Sequence, residues 1–173
     1  MPTLKGSGLS LYLIGFMGSG KSTVGRLLAE LLGTDFVDLD PLVEEKAKKS
    51  IEEIFALEGE KRFRELESEV LAEVAGRKAV VATGGGIIQR EENIRLMRET
   101  GTVVWLRISY REFERRREKL AGRPLLSSPE SKVKKLFEGR TKLYRKASHI
   151  CVNVDQKTPE EVAQEVLRCL SSS

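Results

Sequence analysis

The chain has 173 residues, of which 40% are hydrophobic and 32% charged, with a formal net charge of +4. This balance indicates one soluble domain with a sizeable core and argues against a fibrous or disordered protein. The charges mostly alternate in sign and only 6% of the residues are aromatic, which disfavours a nucleic-acid-binding protein. The two cysteines and one histidine show no metal-ligand spacing, the opening MPTLKGSG lacks an apolar signal core, and no run reaches transmembrane length. We therefore expect a cytoplasmic protein without a membrane or nucleic-acid partner.

Short runs of apolar, β-branched and aromatic residues predict five β-strands, at residues 9–15, 35–39, 78–84, 102–108 and 149–154. Segments of helical periodicity lie between these strands. One of them ends at Gly33, and Ser50 with Glu53 has the spacing of a capping box that begins another. Strands that are apolar on both faces and alternate with helices predict an α/β fold whose parallel sheet is covered on both sides. In such sheets ligands bind at the carboxyl ends of the strands.

The first predicted strand runs into GFMGSGKST, which matches G-x-x-x-x-G-K-[ST] through Gly15, Gly20, Lys21 and Ser22. Glycines let successive backbone N–H groups point at a phosphate, Lys21 reaches the outer phosphates, and the Ser22 hydroxyl coordinates Mg²⁺. A dinucleotide fingerprint is the alternative, but its third glycine would fall on Thr23. The motif therefore predicts a phosphate loop and disfavours hydride transfer.

The second predicted strand ends in FVDLD, with Asp38 and Asp40 before Pro41. With the period of a strand, both carboxylates would point to the same side, toward the phosphate loop. One could hold Mg²⁺ and the other could orient or deprotonate an acceptor hydroxyl. The alternative is a pair of solvated aspartates in a turn.

Further candidate ligand groups follow along the chain. The third strand ends in TGGGII, which offers backbone N–H groups to a small ligand or forms only a tight turn. Arg64 is three residues before Glu67, which is also the spacing of a surface ion pair. Arg123, in a loop beside Pro124, could reach over a nucleotide. Arg140 is either an anion ligand or a solvated helix charge.

The combination of GFMGSGKST, the D-x-D of VDLD, EGEKRFRELE, TGGGII, GRPLL and GRTKLYRKAS resembles the shikimate kinases, in order and over nearly the whole chain. The resemblance implies a three-layer α/β/α P-loop NTPase fold with a five-stranded parallel sheet, substrate-binding helices and a mobile lid. It implies one domain over residues 1–173, with a substrate-binding region at about 38–66 and a lid at about 112–128. It also implies ATP- and Mg²⁺-dependent phosphorylation of the 3-hydroxyl of shikimate, a step of chorismate and aromatic amino-acid biosynthesis.

The resemblance carries roles over to individual acceptor-side residues. It implies that Asp38 belongs to the magnesium network and that Asp40 contacts the substrate hydroxyls as orienter and candidate base. It implies that Arg64 and Arg140 bind the shikimate carboxylate, a task that suits the guanidinium fork. Glu67 would steady the pocket. The glycines expected to contact the substrate are Gly84, Gly85 and Gly86.

On the nucleotide side, the resemblance makes Arg123 the lid arginine that reaches ATP. Its spacing leaves open whether Arg116 or Arg117 lies near adenine, and Lys157 stands where some members have an arginine. The expected catalytic residues are Lys21, Asp40 and Arg123. The expected nucleotide ligands are Gly18, Ser19, Gly20, Lys21, Ser22, Thr23, Arg116, Arg117, Arg123 and Lys157, and the expected metal ligands are Ser22 and Asp38.

Three other functions are alternatives to that of a shikimate kinase. A related small-molecule kinase acting on gluconate or a nucleoside monophosphate would share the phosphate loop. A nucleotide-dependent switch is disfavoured, because the sequence has neither N-K-x-D nor D-x-x-G. A nucleic-acid-binding module that uses ATP would bind DNA or RNA in a salt-sensitive way. We expect a monomer whose partners are the small molecules ATP and shikimate.

Overall fold

The computed structural model describes residues 9–117, 119 and 128–172. At least one helix separates each strand from the next along this part of the chain. In order they are β1 (Ser10–Ile14), α1 (Lys21–Leu32), β2 (Asp35–Asp38), α2 (Leu39–Ala47), α3 (Ile51–Leu57), α4 (Gly59–Val74), β3 (Ala79–Ala82), a short 3-10 turn (Ile87–Gln89), α5 (Glu91–Thr100), β4 (Gly101–Arg107), α6 (Tyr110–Arg117), α7 (Glu130–Ala147), β5 (Ile150–Asn153) and α8 (Pro159–Ser171).

The five strands form one parallel sheet in the order β2-β3-β1-β4-β5. In its register, Leu11 of the central strand pairs with Val80 on one side and Thr102 on the other. All five residues of β1 are buried, as expected for a strand covered on both faces. The predicted α/β fold with a five-stranded parallel sheet is confirmed.

Local signals in the sequence account for several helix ends. Gly33 ends α1 in the left-handed conformation, with φ 61°. The predicted capping box begins α3, where the Glu53 N–H donates to Ser50 Oγ at 3.1 Å and the Ser50 N–H donates to Glu53 Oε2 at 2.8 Å. These caps fix where α1 ends and where α3 begins.

The carboxyl ends of β1, β2 and β3 meet at one edge of the sheet, the place where open parallel sheets bind ligands. Helix α4 and helix α7 both contact the 3-10 turn that follows β3. None of the described helices is long and apolar enough to cross a membrane.

Candidate active site

The loop between β1 and α1 has the backbone of an anion cradle. Gly18 and Gly20 have φ angles of 79° and 90°, which side chains with a Cβ rarely adopt. Lys21 Nζ donates to the carbonyl of Gly15 at 2.7 Å and to that of Phe16 at 3.2 Å, so the ammonium lies over the loop. An anion bound here would meet backbone N–H groups, the N-terminus of α1 and this ammonium.

The same loop is anchored to the rest of the fold by aromatic packing. The Phe16 ring makes edge contacts with Phe113 of α6 and Phe137 of α7, each at a centroid distance of 5.0 Å. Ser19 is buried, and its hydroxyl has no hydrogen-bond partner among the described residues. Thr23 lies in the first turn of α1 and is exposed. The cradle is therefore packed against α6 and α7.

Ser22 and Asp38 meet beside the cradle. Ser22 Oγ donates to Asp38 Oδ2 at 2.6 Å, which places a hydroxyl and a carboxylate next to the expected phosphates. Mg²⁺ prefers such hard oxygen ligands and binds to one or two protein groups plus phosphate oxygens. Over the described ranges no group of three His, Cys, Asp or Glu side chains could hold a metal by itself. The pair fits Mg²⁺ held jointly with a nucleotide.

Asp40 reaches the site by a different route from the one predicted. The strand β2 ends at Asp38, and Asp40 lies in the first turn of α2, so the argument from strand alternation is wrong. Asp38 is the N-cap of α2, and its Oδ1 accepts the N–H of Asp40 at 3.2 Å. The helix start, rather than the strand period, turns Asp40 into the neighbouring cavity.

That cavity has a volume of about 590 Å³, within the range of small-molecule sites. One wall is apolar and the other carries carboxylates, guanidinium groups and bare backbone. Its lining includes Met17, Asp40, Ile51, Phe55, Glu60, Phe63, Arg64, Glu67, Gly84, Gly85, Gly86, Val133, Leu136 and Arg140.

Each glycine of the triplet after β3 lies against at least one charged side chain. A methyl group on Gly84 would collide with Glu67 Oε1 and lie 3.4 Å from Asp40 Oδ1. A methyl group on Gly86 would collide with the Arg64 guanidinium. A methyl group on Gly85 would lie 3.4 Å from Arg140 Nη1. The triplet thus brings four of the predicted acceptor ligands to one short segment.

The charges around the triplet are largely desolvated. Arg64 Nη1 donates to Glu67 Oε2 at 2.5 Å, and the two side chains are 13% and 2% exposed. Burial raises the pKa of the Glu67 carboxyl, and the Arg64 charge opposes that rise. Burial lowers the pKa of Arg140, and the Arg64 charge adds to that effect. Two largely desolvated guanidinium groups whose like charges interact favour an anionic ligand.

Several polar atoms of these side chains lack hydrogen-bond partners within the described residues: Arg64 Nε, Glu67 Oε1 and Arg140 Nε. Unpaired buried polar atoms are costly in a finished structure. Their concentration around one cavity indicates that a polar ligand completes it.

The nucleotide-side cations occupy distinct positions. Arg116 donates from Nη1 to the carbonyl of Gly18 at 2.9 Å and from Nη2 to that of Val154 at 3.3 Å. Arg117 Nη1 instead donates to Glu114 at 3.2 Å. Arg116 is therefore held at the phosphate loop.

Lys157 is held at the carboxyl end of β5. Its Nζ donates to the Asn153 carbonyl at 2.9 Å and to Glu165 at 2.6 Å. Its ammonium therefore connects the end of β5 to α8.

Comparisons with known proteins show the family of this chain. A family model described as shikimate kinase matches residues 17–171. This chain belongs to the shikimate kinase family. A shikimate kinase of Sulfurihydrogenibium sp. is 46% identical over 159 residues, which are 91% of this chain and 95% of the relative. That of Trichormus variabilis is 47% identical over 169 residues, with 95% and 92% covered.

Among solved structures, a shikimate kinase from Acinetobacter baumannii in complex with shikimate matches with a TM-score of 0.88 and 41% identity. The match covers 96% of this chain and 95% of that one. The shikimate kinase from Aquifex aeolicus matches with a TM-score of 0.82, at the same 41% identity over 95% and 97% of the two chains. The P-loop fold of the family is thereby shown for this chain.

The predicted lid of this family member is only partly described. Its expected span of about 112–128 begins within α6, where Phe113 is fully buried. Arg123 lies outside the described residues, together with the rest of 120–127.

Two site residues were missed by the sequence analysis. Tyr144 donates its hydroxyl to the Gly85 carbonyl at 2.5 Å, and Glu112 accepts a hydrogen bond from Arg116 Nε at 2.7 Å. Tyr144 follows Arg140 by four residues and Glu112 precedes Arg116 by four. That spacing places each pair on one helix face. The sequence therefore contained a signal by which both residues could have been found.

Proposed function

We propose that this shikimate kinase family member transfers the γ-phosphoryl group of ATP to the 3-hydroxyl of shikimate, as a step of chorismate biosynthesis. The observation that carries the proposal is the convergence of Asp40, Arg64 and Arg140 on Gly84–86, beside a loop covered by Lys21. A carboxylate acceptor with hydroxyl groups complements two guanidinium groups and one aspartate.

In this proposal the acceptor carboxylate binds to Arg64 and Arg140. Arg64 is kept in place by Glu67, and the backbone of the glycine triplet lies close enough to hydrogen-bond the ligand. The apolar wall, which includes Ile51 and Phe55, packs against the ring. Binding at the carboxylate end orients the opposite face of the ring toward the phosphate loop.

The transfer itself depends on position and charge. Asp40 accepts a hydrogen bond from the 3-hydroxyl and takes its proton as the 3-oxygen forms a bond to the γ-phosphorus. The bond between that phosphorus and the β,γ-bridging oxygen breaks, and ADP leaves with the electron pair. Lys21 stabilises the charge on the phosphates, and Arg123 is expected to add to it. Ser22 and Asp38 would hold Mg²⁺, which supplies charge neutralisation on the phosphate oxygens.

We further propose that the chain forms one domain, acts as a monomer in the cytoplasm, and has no nucleic-acid or membrane partner. In support, the five described strands belong to one sheet, and Arg62 and Arg64 of α4 are paired with acidic residues.

The proposal is tested by ADP release with ATP, Mg²⁺ and one acceptor at a time. Shikimate, gluconate and a nucleoside monophosphate are compared at equal concentrations, with acceptor-free enzyme as the blank. We expect turnover with shikimate and background rates with the other two. Faster turnover with gluconate or with the nucleoside monophosphate would overturn the assignment. So would ATP hydrolysis at a rate that does not depend on any acceptor.

A further inference from the structure

Tyr144 connects two parts of the acceptor cavity that come from distant segments of the chain. Its hydroxyl donates to the carbonyl of Gly85 at 2.5 Å, and it lies on α7, one turn after Arg140. The side chain is 1% exposed, and its ring packs on Trp105 at a centroid distance of 5.9 Å. Burial raises the pKa of Tyr144, so the hydroxyl remains a donor at any physiological pH.

The segment that Tyr144 holds needs a restraint. Three consecutive glycines have wide conformational freedom. The carbonyls of Gly84 and Gly86 accept the N–H groups of Ile87 and Gln89 at 3.2 and 3.1 Å. The carbonyl of Gly85, which lies between them, instead accepts a hydrogen bond from the Tyr144 hydroxyl.

Because a peptide unit is planar, holding the Gly85 carbonyl also sets the direction of the Gly86 N–H. In the described part of the chain, that N–H makes no backbone hydrogen bond outside regular helices and strands. Gly86 itself lies in the lining of the cavity. Without the tether this peptide could rotate and present a carbonyl where the ligand needs a donor.

We propose that Tyr144 is a positioning residue for the acceptor: it fixes the Gly85–Gly86 peptide relative to Arg140, so that both engage the acceptor carboxylate end together. This inference rests on the proposed function, because it assumes an acceptor held by Arg140 and the glycine triplet. Tyr144 acts through those groups and does not touch the reacting atoms.

A purely structural role would have a different signature. Tyr12 provides the matched control, since it is fully buried and its hydroxyl makes a 2.7 Å hydrogen bond with Thr100 Oγ1 at the other end of the sheet. Tyr12→Phe and Tyr144→Phe each remove one buried hydroxyl and keep the ring. Both cost stability, but only Tyr144→Phe should change acceptor binding.

The test compares steady-state kinetics of the wild-type protein and the two variants, with shikimate and ATP varied in turn. For Tyr144→Phe we expect the KM for shikimate to rise about 10-fold, while the KM for ATP stays within about twofold. Tyr12→Phe should leave both values within about twofold. Trp105, the single tryptophan of the chain, gives a second readout, because a fluorescence titration with shikimate reports its Kd without turnover.

The outcomes separate the two proposals. A folded Tyr144→Phe protein with unchanged KM and Kd for shikimate would overturn the positioning role, and so would an equal rise in Tyr12→Phe. A wild-type protein that shows no shikimate-dependent turnover would overturn the proposed function itself.

Discussion

Asp38 and Asp40 are two residues apart in sequence and contact different parts of the site, because β2 ends and α2 begins between them. Asp38 accepts the Ser22 hydroxyl and caps the helix, whereas Asp40 lines the acceptor cavity. The sequence predicted that both acids lie at this edge. The strand period did not predict the route, since an aspartate at this position can either continue a strand or accept a backbone N–H as the N-cap of a helix.

Arg64 and Arg140 give the most specific prediction at the scale of single residues. Replacing either with lysine keeps the charge and removes the planar fork that binds a carboxylate at two points. We expect Arg64→Lys and Arg140→Lys each to raise the KM for shikimate about 10- to 100-fold, with a smaller change in the KM for ATP. Steady-state kinetics with each substrate varied separately measure both.

Arg62→Lys is the control for this pair. Arg62 lies two residues before Arg64 on α4, but its partners are the surface carboxylates of Glu58, Glu65 and Glu69. Its replacement should leave both KM values unchanged. Equal effects in Arg62→Lys and Arg64→Lys would contradict the carboxylate-binding role.

At the scale of elements, α6 contacts the phosphate loop through Arg116, which is held by Glu112 of the same helix. This buried carboxylate accepts hydrogen bonds from Arg115 and Arg116, which lower its pKa from 4.5 to about 2 against the opposing effect of burial. Arg116 in turn reaches the Gly18 carbonyl. Glu112 thus positions a cation at the phosphate loop.

Glu112→Gln should raise the KM for ATP several-fold and leave the KM for shikimate unchanged, because Arg116 loses a charged partner. A carboxyl whose pKa is lowered by folding contributes stability above its unfolded pKa, and this contribution is lost as pH falls. Here the loss runs from about pH 4.5 to about pH 2. Urea unfolding across that range should therefore show a shallower pH dependence in Glu112→Gln than in wild type.

Glu91→Gln is the matched control, since Glu91 pairs with Lys146 on the surface at 2.7 Å and lies on a different helix. It should leave both KM values unchanged. An ATP KM in Glu112→Gln that equals that of the wild type would contradict the positioning of Arg116.

The packing of α1 on the sheet gives a stability prediction. A methyl group on Gly25 would lie 2.5 Å from Phe36 Cε2 and 3.3 Å from Leu13 Cδ1. Gly25→Ala should therefore lower the free energy of unfolding by about 1–3 kcal/mol through overpacking. Gly139, within α7, has no atom within 4 Å of such a methyl group. Gly139→Ala should raise the free energy of unfolding by about 0.5–1 kcal/mol.

Urea denaturation of the two glycine variants measures both changes. The opposite signs separate a close approach between helix and sheet from ordinary helix propensity. Stabilisation by Gly25→Ala would show that α1 does not lie as close to β2 as the structure places it.

At the scale of the whole molecule, the features predicted from sequence are those with a local cause. The phosphate loop, the five strands and the α3 capping box each depend on a few neighbouring residues, and each was found where expected. The Arg116–Gly18 and Tyr144–Gly85 hydrogen bonds join segments 98 and 59 residues apart. Local patterns carry no information about such pairings, so Tyr144 and Glu112 were missed although each lies one helical turn from a predicted site residue.

The central claim is phosphoryl transfer to one particular oxygen, and phosphorus NMR of the product tests it most directly. With wild-type protein, ATP, Mg²⁺ and shikimate, we predict a phosphate ester whose phosphorus couples to the proton on carbon 3. Asp40→Asn should form it on the order of 100-fold more slowly or worse, whereas Asp35→Asn, at the exposed start of β2, should match the wild type. A phosphate on another oxygen, no acceptor-dependent product, or full activity in Asp40→Asn would contradict the account.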